Sequence, residues 1–294
     1  MYSHFDSMLS LCRERNWPLW KAVCAEETEL TGQDEEAIFQ RMGRRYEIMA
    51  AAAAKALEAP LMGHTGRPTL ISGAAKAQRD YAARGETLCG PMLNRMMARA
   101  LSCSEANASM GRVCAMPTAG ACGIVPAVLL TLEEERGLPR RTVLEALVIA
   151  SGVGAVITQN ATVSGAEGGC QAECGAAAAM AAAAAVYLMG GTPEQSLTAM
   201  SHALINMMGL VCDPIAGLVQ IPCAQRNASQ AVNAMLSADL ALAGMDCPIP
   251  PDEVLEAMYR VGKSLPTTLR ETALGGIAGT RAGQAIARQI HQDS

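Results

Sequence analysis

The sequence predicts an all-α fold, a single large helical domain whose helices are joined by glycine-rich loops. Three observations carry this. Aromatic residues make up only 3% of the 294-residue chain, and β-branched runs are few, whereas Ala, Leu, Met and Gln favour helix. No stretch alternates apolar and polar residues over more than about four positions, the pattern of a half-buried strand. Hydrophobic residues reach 50%, ample for a full-sized core.

The helices can be placed one by one. Gln33 to Ala59 reads as one long helix, with Asp34, Glu35 and Glu36 at its positive end. Leu138-Pro139 opens another, through TVLEALVIASGVGAVI. Gly175 to Gly191, GAAAAMAAAAAVYLMGG, is too short and too alanine-rich for a membrane span and reads as a central buried helix. Thr192-Pro193-Glu194-Gln195 has the form of a capping box with Pro at the first helical position, starting a helix that ends near Gly209. Pro250-Pro251-Asp252 starts one more, which Pro266 closes. Residues 1–60 read as an N-terminal helical extension packed on a main domain of residues 61–294.

Charge excludes some functions. The net charge is −5, with only four lysines, Lys21, Lys55, Lys76 and Lys263, so there is no basic stripe to displace counterions from nucleic acid. The first residues, MYSHFDSMLSLCRERNW, lack the charged and apolar regions of a signal peptide, which points to the cytoplasm. Charged residues are 17% of the chain, against roughly 25% in an average soluble protein. Much surface is therefore expected to be buried, or covered by another chain.

Four loop segments are rich in small polar residues but nearly free of charge: residues 63–73, 104–126, 160–175 and 212–229. Such loops suit close approach to one another or to a ligand. Eleven cysteines in a chain without an export signal are either small buried residues or metal ligands. Cys170 falls at the end of a glycine-rich turn where the alanine-rich helix begins, a place that favours thiolate. Cys174 lies one turn on. Cys212 and Cys223 bracket a Pro/Gly loop, with Cys223 at the start of a helix. These are plausible ligands for a soft metal centre, but no C-x-x-C pair exists, and the spacing alone matches no general metal motif.

The wording of the loops is more specific. NASMGR, PTAG, SGAEGGCQAE, GLVCDPIAGLV and PCAQRNA, followed by IPPDEVLEAMYRVGKSLP and LRETALGG, resemble in sequence and order the α chain of the iron–sulfur-dependent L-serine dehydratases, from about Gly63 to Gly276. That resemblance implies a helical catalytic domain over residues 61–294 and a [4Fe–4S] cluster held by Cys170, Cys212 and Cys223. It also implies conversion of L-serine to pyruvate and ammonia, one open iron acting as Lewis acid on the hydroxyl. A pyridoxal phosphate enzyme would need a Schiff-base lysine, and no lysine lies in the glycine-rich loops. Related dehydratases place Val or a similar residue at Cys174, so it is not counted as a ligand.

In the matched loops, Asn107, Ser109, Thr118, Ser164 and Arg226 can donate to a substrate carboxylate. The base is left open between Glu167, the carboxylate flanked by glycines, and His64, a histidine where relatives more often resemble G-L-T-G-G. His202, within a helix, reads as packed or surface rather than catalytic. Arg270-Glu271-Thr272 reads as an ion pair or a cap, with active-site lining as the alternative. The family resemblance further implies a partner. Single-chain members carry an additional domain that two-chain members place in a separate β subunit, so a β subunit, a homo-oligomer or both are expected. Some single-chain members close the open iron with a C-terminal cysteine, whereas this chain ends Ile290 to Ser294 without a thiol. The neighbouring readings are an L-cysteine desulfidase using the same cluster chemistry and a non-catalytic cluster protein.

Overall fold

A computed structural model describes residues 4–292, and the chain ends discussed above, Met1 to Ser3 and Asp293 to Ser294, lie outside them. Thirteen α-helices account for the fold among the described residues, with two isolated β-bridges and no extended strand.

The N-terminal part holds α1 (Phe5–Arg15), α2 (Leu19–Thr31) and α3 (Glu35–Lys55). Asp34 caps α3 by accepting from Ala37 N at 2.9 Å, with Glu35 and Glu36 in the first turn, as its acidic opening leads one to expect. Then follow α4 (Ala74–Ala82), α5 (Gly90–Ala108), α6 (Ile124–Arg136), α7 (Arg140–Asn160) and the single turn α8 (Gly165–Gly168). The second half is α9 (Ala176–Leu188), α10 (Pro193–Ile205), α11 (Cys223–Leu242), α12 (Pro251–Ser264) and α13 (Arg281–Gln292). The Thr192/Gln195 capping box is formed in full.

Helix α9 is the axis of the molecule, with α6, α7, α10 and α11 packed around it. Every residue from Ala176 to Val186 is buried. Alanine makes this arrangement possible, because a side chain of one carbon lets neighbouring backbones approach on all sides. Glycine extends the same device: a methyl on Gly154 of α7 would sit 2.7 Å from Met180 Cε. The two helices apolar enough to cross a membrane, Arg140–Asn160 and the run Gln171–Leu188, are core helices, their apolar windows 61% and 89% buried.

Residues of α1 to α3, among them Phe5, Leu19, Phe39 and Tyr46, belong to the same core cluster as α6, α7 and α9. The core continues across residue 60 through Ala52 and Ala53, which pack with Cys103, Ala106 and Cys122.

One element is absent from the sequence reading. Between Cys170 and α9 the chain makes a π-helical turn, Gln171–Gly175, so the buried helix opens with a widened turn. Such turns concentrate at functional sites. Because α9 is enclosed on every side, Ala182→Leu is expected to destabilise the protein by about 1–3 kcal/mol through overpacking. Denaturant unfolding of the variant beside the wild type measures this.

Candidate metal centre

The four uncharged loops meet at one end of α9. Each is tied down by a buried side chain. Glu105, 1% exposed, accepts from the backbone N–H of Leu61, Gly73 and Ala75 at 3.3, 3.0 and 2.7 Å. Three donors balance the cost of burying a carboxylate and pin the loop of residues 63–73. That loop is joined to the loop of residues 212–229 by Leu70 N, which donates to Gln220 Oε1 at 2.8 Å. Asn227 on α11 accepts from Gly123 N at 2.8 Å and donates to Gly120 O and Cys223 O at 2.7 and 2.9 Å. Gln171 donates to Met258 O and accepts from Gly209 N, both at 2.8 Å.

The three thiols named above lie in this junction, on three separate elements. Cys170 precedes the π-helical turn, Cys212 lies in extended chain and Cys223 opens α11. They are 2%, 3% and 9% exposed, and each lies within electrostatic reach of the others. Cys174 joins them, 1% exposed, its thiol against Cys170.

Their environments differ. The adjoining Cys174 thiol and the Arg226 guanidinium hold Cys170 below the usual thiol range, against the opposing effect of burial. Contact with Cys170 and burial push Cys174 far above it. Burial, then the negative charges of Cys170 and Glu173, push Cys223 up to about 12. Burial and Glu173 raise Cys212 as well. Cys170 is thus the sulfur best stabilised as thiolate.

The carboxylate that faces the thiols is Glu173. Its Oε2 accepts from Cys212 Sγ at 3.9 Å, and the Thr118 hydroxyl lies beside it. Burial raises its pKa above the usual carboxylate range. The fit is close: a methyl on Gly165 would lie 2.7 Å from Glu173 Oε2 and 2.8 Å from Cys212 Sγ. Glu271 completes the charged lining. Its charge acts on Glu173, Cys212 and Cys223, while Arg270 donates to Thr267 Oγ1 at 3.3 Å.

Glu173, not the glycine-flanked Glu167, is the carboxylate the fold turns toward the thiols. The available signal was a carboxylate three residues after Cys170, in a run leading straight into an apolar helix. Glu167 itself faces outward, 57% exposed, with Lys263 at 4.0 Å. His64 is exposed on its loop. Neither candidate base is placed against the thiols. His202 is buried, with Nε2 3.1 Å from Met245 O.

The substrate-donor set also changes. Thr118 stands at the site, and its Oγ1 is buried without a well-formed hydrogen bond. Ser164 directly precedes Gly165 and opens α8. Ser109 spends its hydroxyl on Ala106 O at 3.0 Å, and Asn107 lies in the last turn of α5. Arg226, expected to bind substrate, is occupied by the protein. Nη1 donates to Val211 O at 2.8 Å and Nη2 to Asp213 Oδ1 at 2.7 Å.

A buried junction of four thiols and a carboxylate, built on an all-helical frame, defines a candidate soft-metal or thiol centre. The comparisons narrow the class. Residues 14–278 match the family described as Serine dehydratase alpha chain, and the chain belongs to that family. It is 47% identical over 283 residues to the "L-serine dehydratase, alpha chain" of Peptoniphilus asaccharolyticus, covering 96% of each chain. It is 43% identical over 290 residues to the "Probable L-serine dehydratase, alpha chain" of Bacillus subtilis (strain 168), 99% of this chain and 95% of that one. The "L-serine dehydratase 2" of Escherichia coli (strain K12) is 36% identical over 283 residues, 94% of this chain but 61% of its own length.

Asn227 serves two backbone groups of the loop of residues 104–126 and one in the first turn of α11, so its loss leaves buried partners unsatisfied. Asn227→Ala is expected to lower stability by about 2–4 kcal/mol, read as a fall in the denaturant midpoint at an unchanged slope.

Proposed function

We propose that this chain is the catalytic, cluster-holding subunit of an L-serine dehydratase, which converts L-serine to pyruvate and ammonia. The observation that carries the reading is the convergence of Cys170, Cys212 and Cys223 in one buried junction. The names of the family relatives supply the substrate and the reaction.

The donor set suits an iron–sulfur cluster. Thiolates are its usual ligands, and a cube of four irons takes them at separate corners. Among the described residues, no group of three His, Cys, Asp or Glu side chains is arranged to hold a single metal ion. Cys170, Cys212 and Cys223 would hold a [4Fe–4S] cluster. When bound, it supplies Lewis-acid chemistry toward the serine hydroxyl, otherwise a poor leaving group.

The protein's own part is orientation and exclusion of water. Thr118 has a buried hydroxyl beside Glu173 with no well-formed bond, placed to meet a polar substrate group. Glu173 aligns Cys212 through the 3.9 Å contact and places negative charge beside the thiols. Ser164, through its place before Gly165, borders the same point. The reading calls for no pyridoxal phosphate.

The longer Escherichia coli relative, only 61% of which this chain covers, and the "alpha chain" names of the shorter ones favour a separate β subunit here, alone or with self-association. All eleven cysteines are unpaired, which suits a reducing cytoplasm.

Anaerobic reconstitution tests the ligand set. Cys170→Ser, Cys212→Ser and Cys223→Ser are each expected to lose most of the bound iron and sulfide, while Cys174→Ser keeps the wild-type content. Turnover of L-serine above L-cysteine separates the proposed activity from a desulfidase. Full cluster content in any of the first three variants removes that residue from the ligand set.

A further inference from the structure

Cys212 is the one member of the trio outside any helix, so something other than a helical backbone must hold it. Its own backbone is clasped on both sides by the segment after α12. Cys212 N donates to Leu269 O at 2.9 Å, and Glu271 N donates to Cys212 O at 2.7 Å, a parallel bridge to Arg270. Its flanking residues are clasped from α11. Arg226 donates to Val211 O and to Asp213 Oδ1 at 2.8 and 2.7 Å, one residue before Cys212 and one after. Asp213 Oδ2 then accepts from Ile277 N at 2.7 Å.

Arg226 has two further relations to the thiols. It stands three residues after Cys223 on α11, and its positive charge acts on the buried Cys170 thiol. One planar group with five donors is therefore in touch with the segments of all three cysteines. Asp213 is 3% exposed and the Arg226 side chain 14% exposed. Gly276 makes room for the arrangement: its φ is +57°, and a methyl there would lie 2.1 Å from Asp213 Oδ2.

We propose that the Arg226–Asp213 pair is a positioning clamp that sets Cys212 between Cys170 and Cys223 for cluster binding, rather than an anchor for the substrate carboxylate. The inference rests on the cluster-holding reading above and deepens it. Asp213 transmits the constraint from α11 to the 276–277 backbone, so three parts of the chain distant in sequence share one joint.

The test uses Arg226→Lys, Asp213→Asn and Gly276→Ala in the full-length chain, reconstituted anaerobically. Expected are near-wild-type helical circular dichroism and a roughly 10–100-fold weaker hold on the cluster, read as lower iron and sulfide per chain and faster iron release to a chelator. KM for L-serine of the cluster-loaded fraction should stay unchanged. Wild-type iron release in both Arg226→Lys and Asp213→Asn, with a raised KM, overturns the clamp in favour of substrate binding.

A second readout needs no cluster. Alkylation of Cys212 in the iron-free chain, followed by peptide mass spectrometry, should be slow in the wild type and faster in all three variants. Equal rates overturn the clamp. A wild-type chain that takes up no cluster but shows the expected alkylation pattern overturns the ligand assignment and leaves the clamp standing.

Discussion

The geometry of the thiol junction depends on the Arg226 guanidinium and the carboxylate it grips. Cys170 and Cys223 inherit their positions from helix ends, whereas Cys212 sits in chain that no regular element supports. A fork of hydrogen bonds to the residues on either side is an economical way to fix such a point, because a rigid planar donor set loses little entropy per bond made. Ion pairs as deep as this one are costly to desolvate and are weak sources of net stability. Its value here is geometric: it fixes where Cys212 stands.

That joint would be useless in a fold that left the loops apart. The alanine helix α9 solves this by bulk, or rather by its absence. Four helices close around it without side chains to hold them off, and the segments that precede and follow them are drawn to one end. There Glu105, Asn227 and Gln171 satisfy backbone groups that water would otherwise serve. The loops carry few charges because they face one another, and Asp213 and Arg226, two of those few, pair with each other.

Much of this was legible in the sequence. The capped starts at Asp34 and Thr192, the proline-opened helices and the buried alanine run follow from local rules that tertiary packing reinforces. The order of the motifs pointed to three cysteines, which the fold buries in one junction together with Cys174. What local rules could not give was direction. Glu173, which faces inward, lies in the π-helical turn, a departure from regular spacing that no periodicity reveals. Arg226 reads in sequence as a free donor, since the partners that occupy it, Val211 and Asp213, are brought to it only by folding. LRETALGG also acquires its reasons only in three dimensions: Leu269 and Glu271 clasp the Cys212 backbone, and Gly276 yields space to Asp213.

The central claim is that three thiolates hold a cluster whose remaining iron meets the substrate. Mössbauer spectroscopy of the chain reconstituted anaerobically with isotopically enriched iron tests it directly, with and without L-serine. The account predicts one iron in four with distinct parameters, shifting when L-serine is added while the other three stay fixed. Four equivalent irons unmoved by L-serine, or iron that is not in a cluster at all, would contradict it.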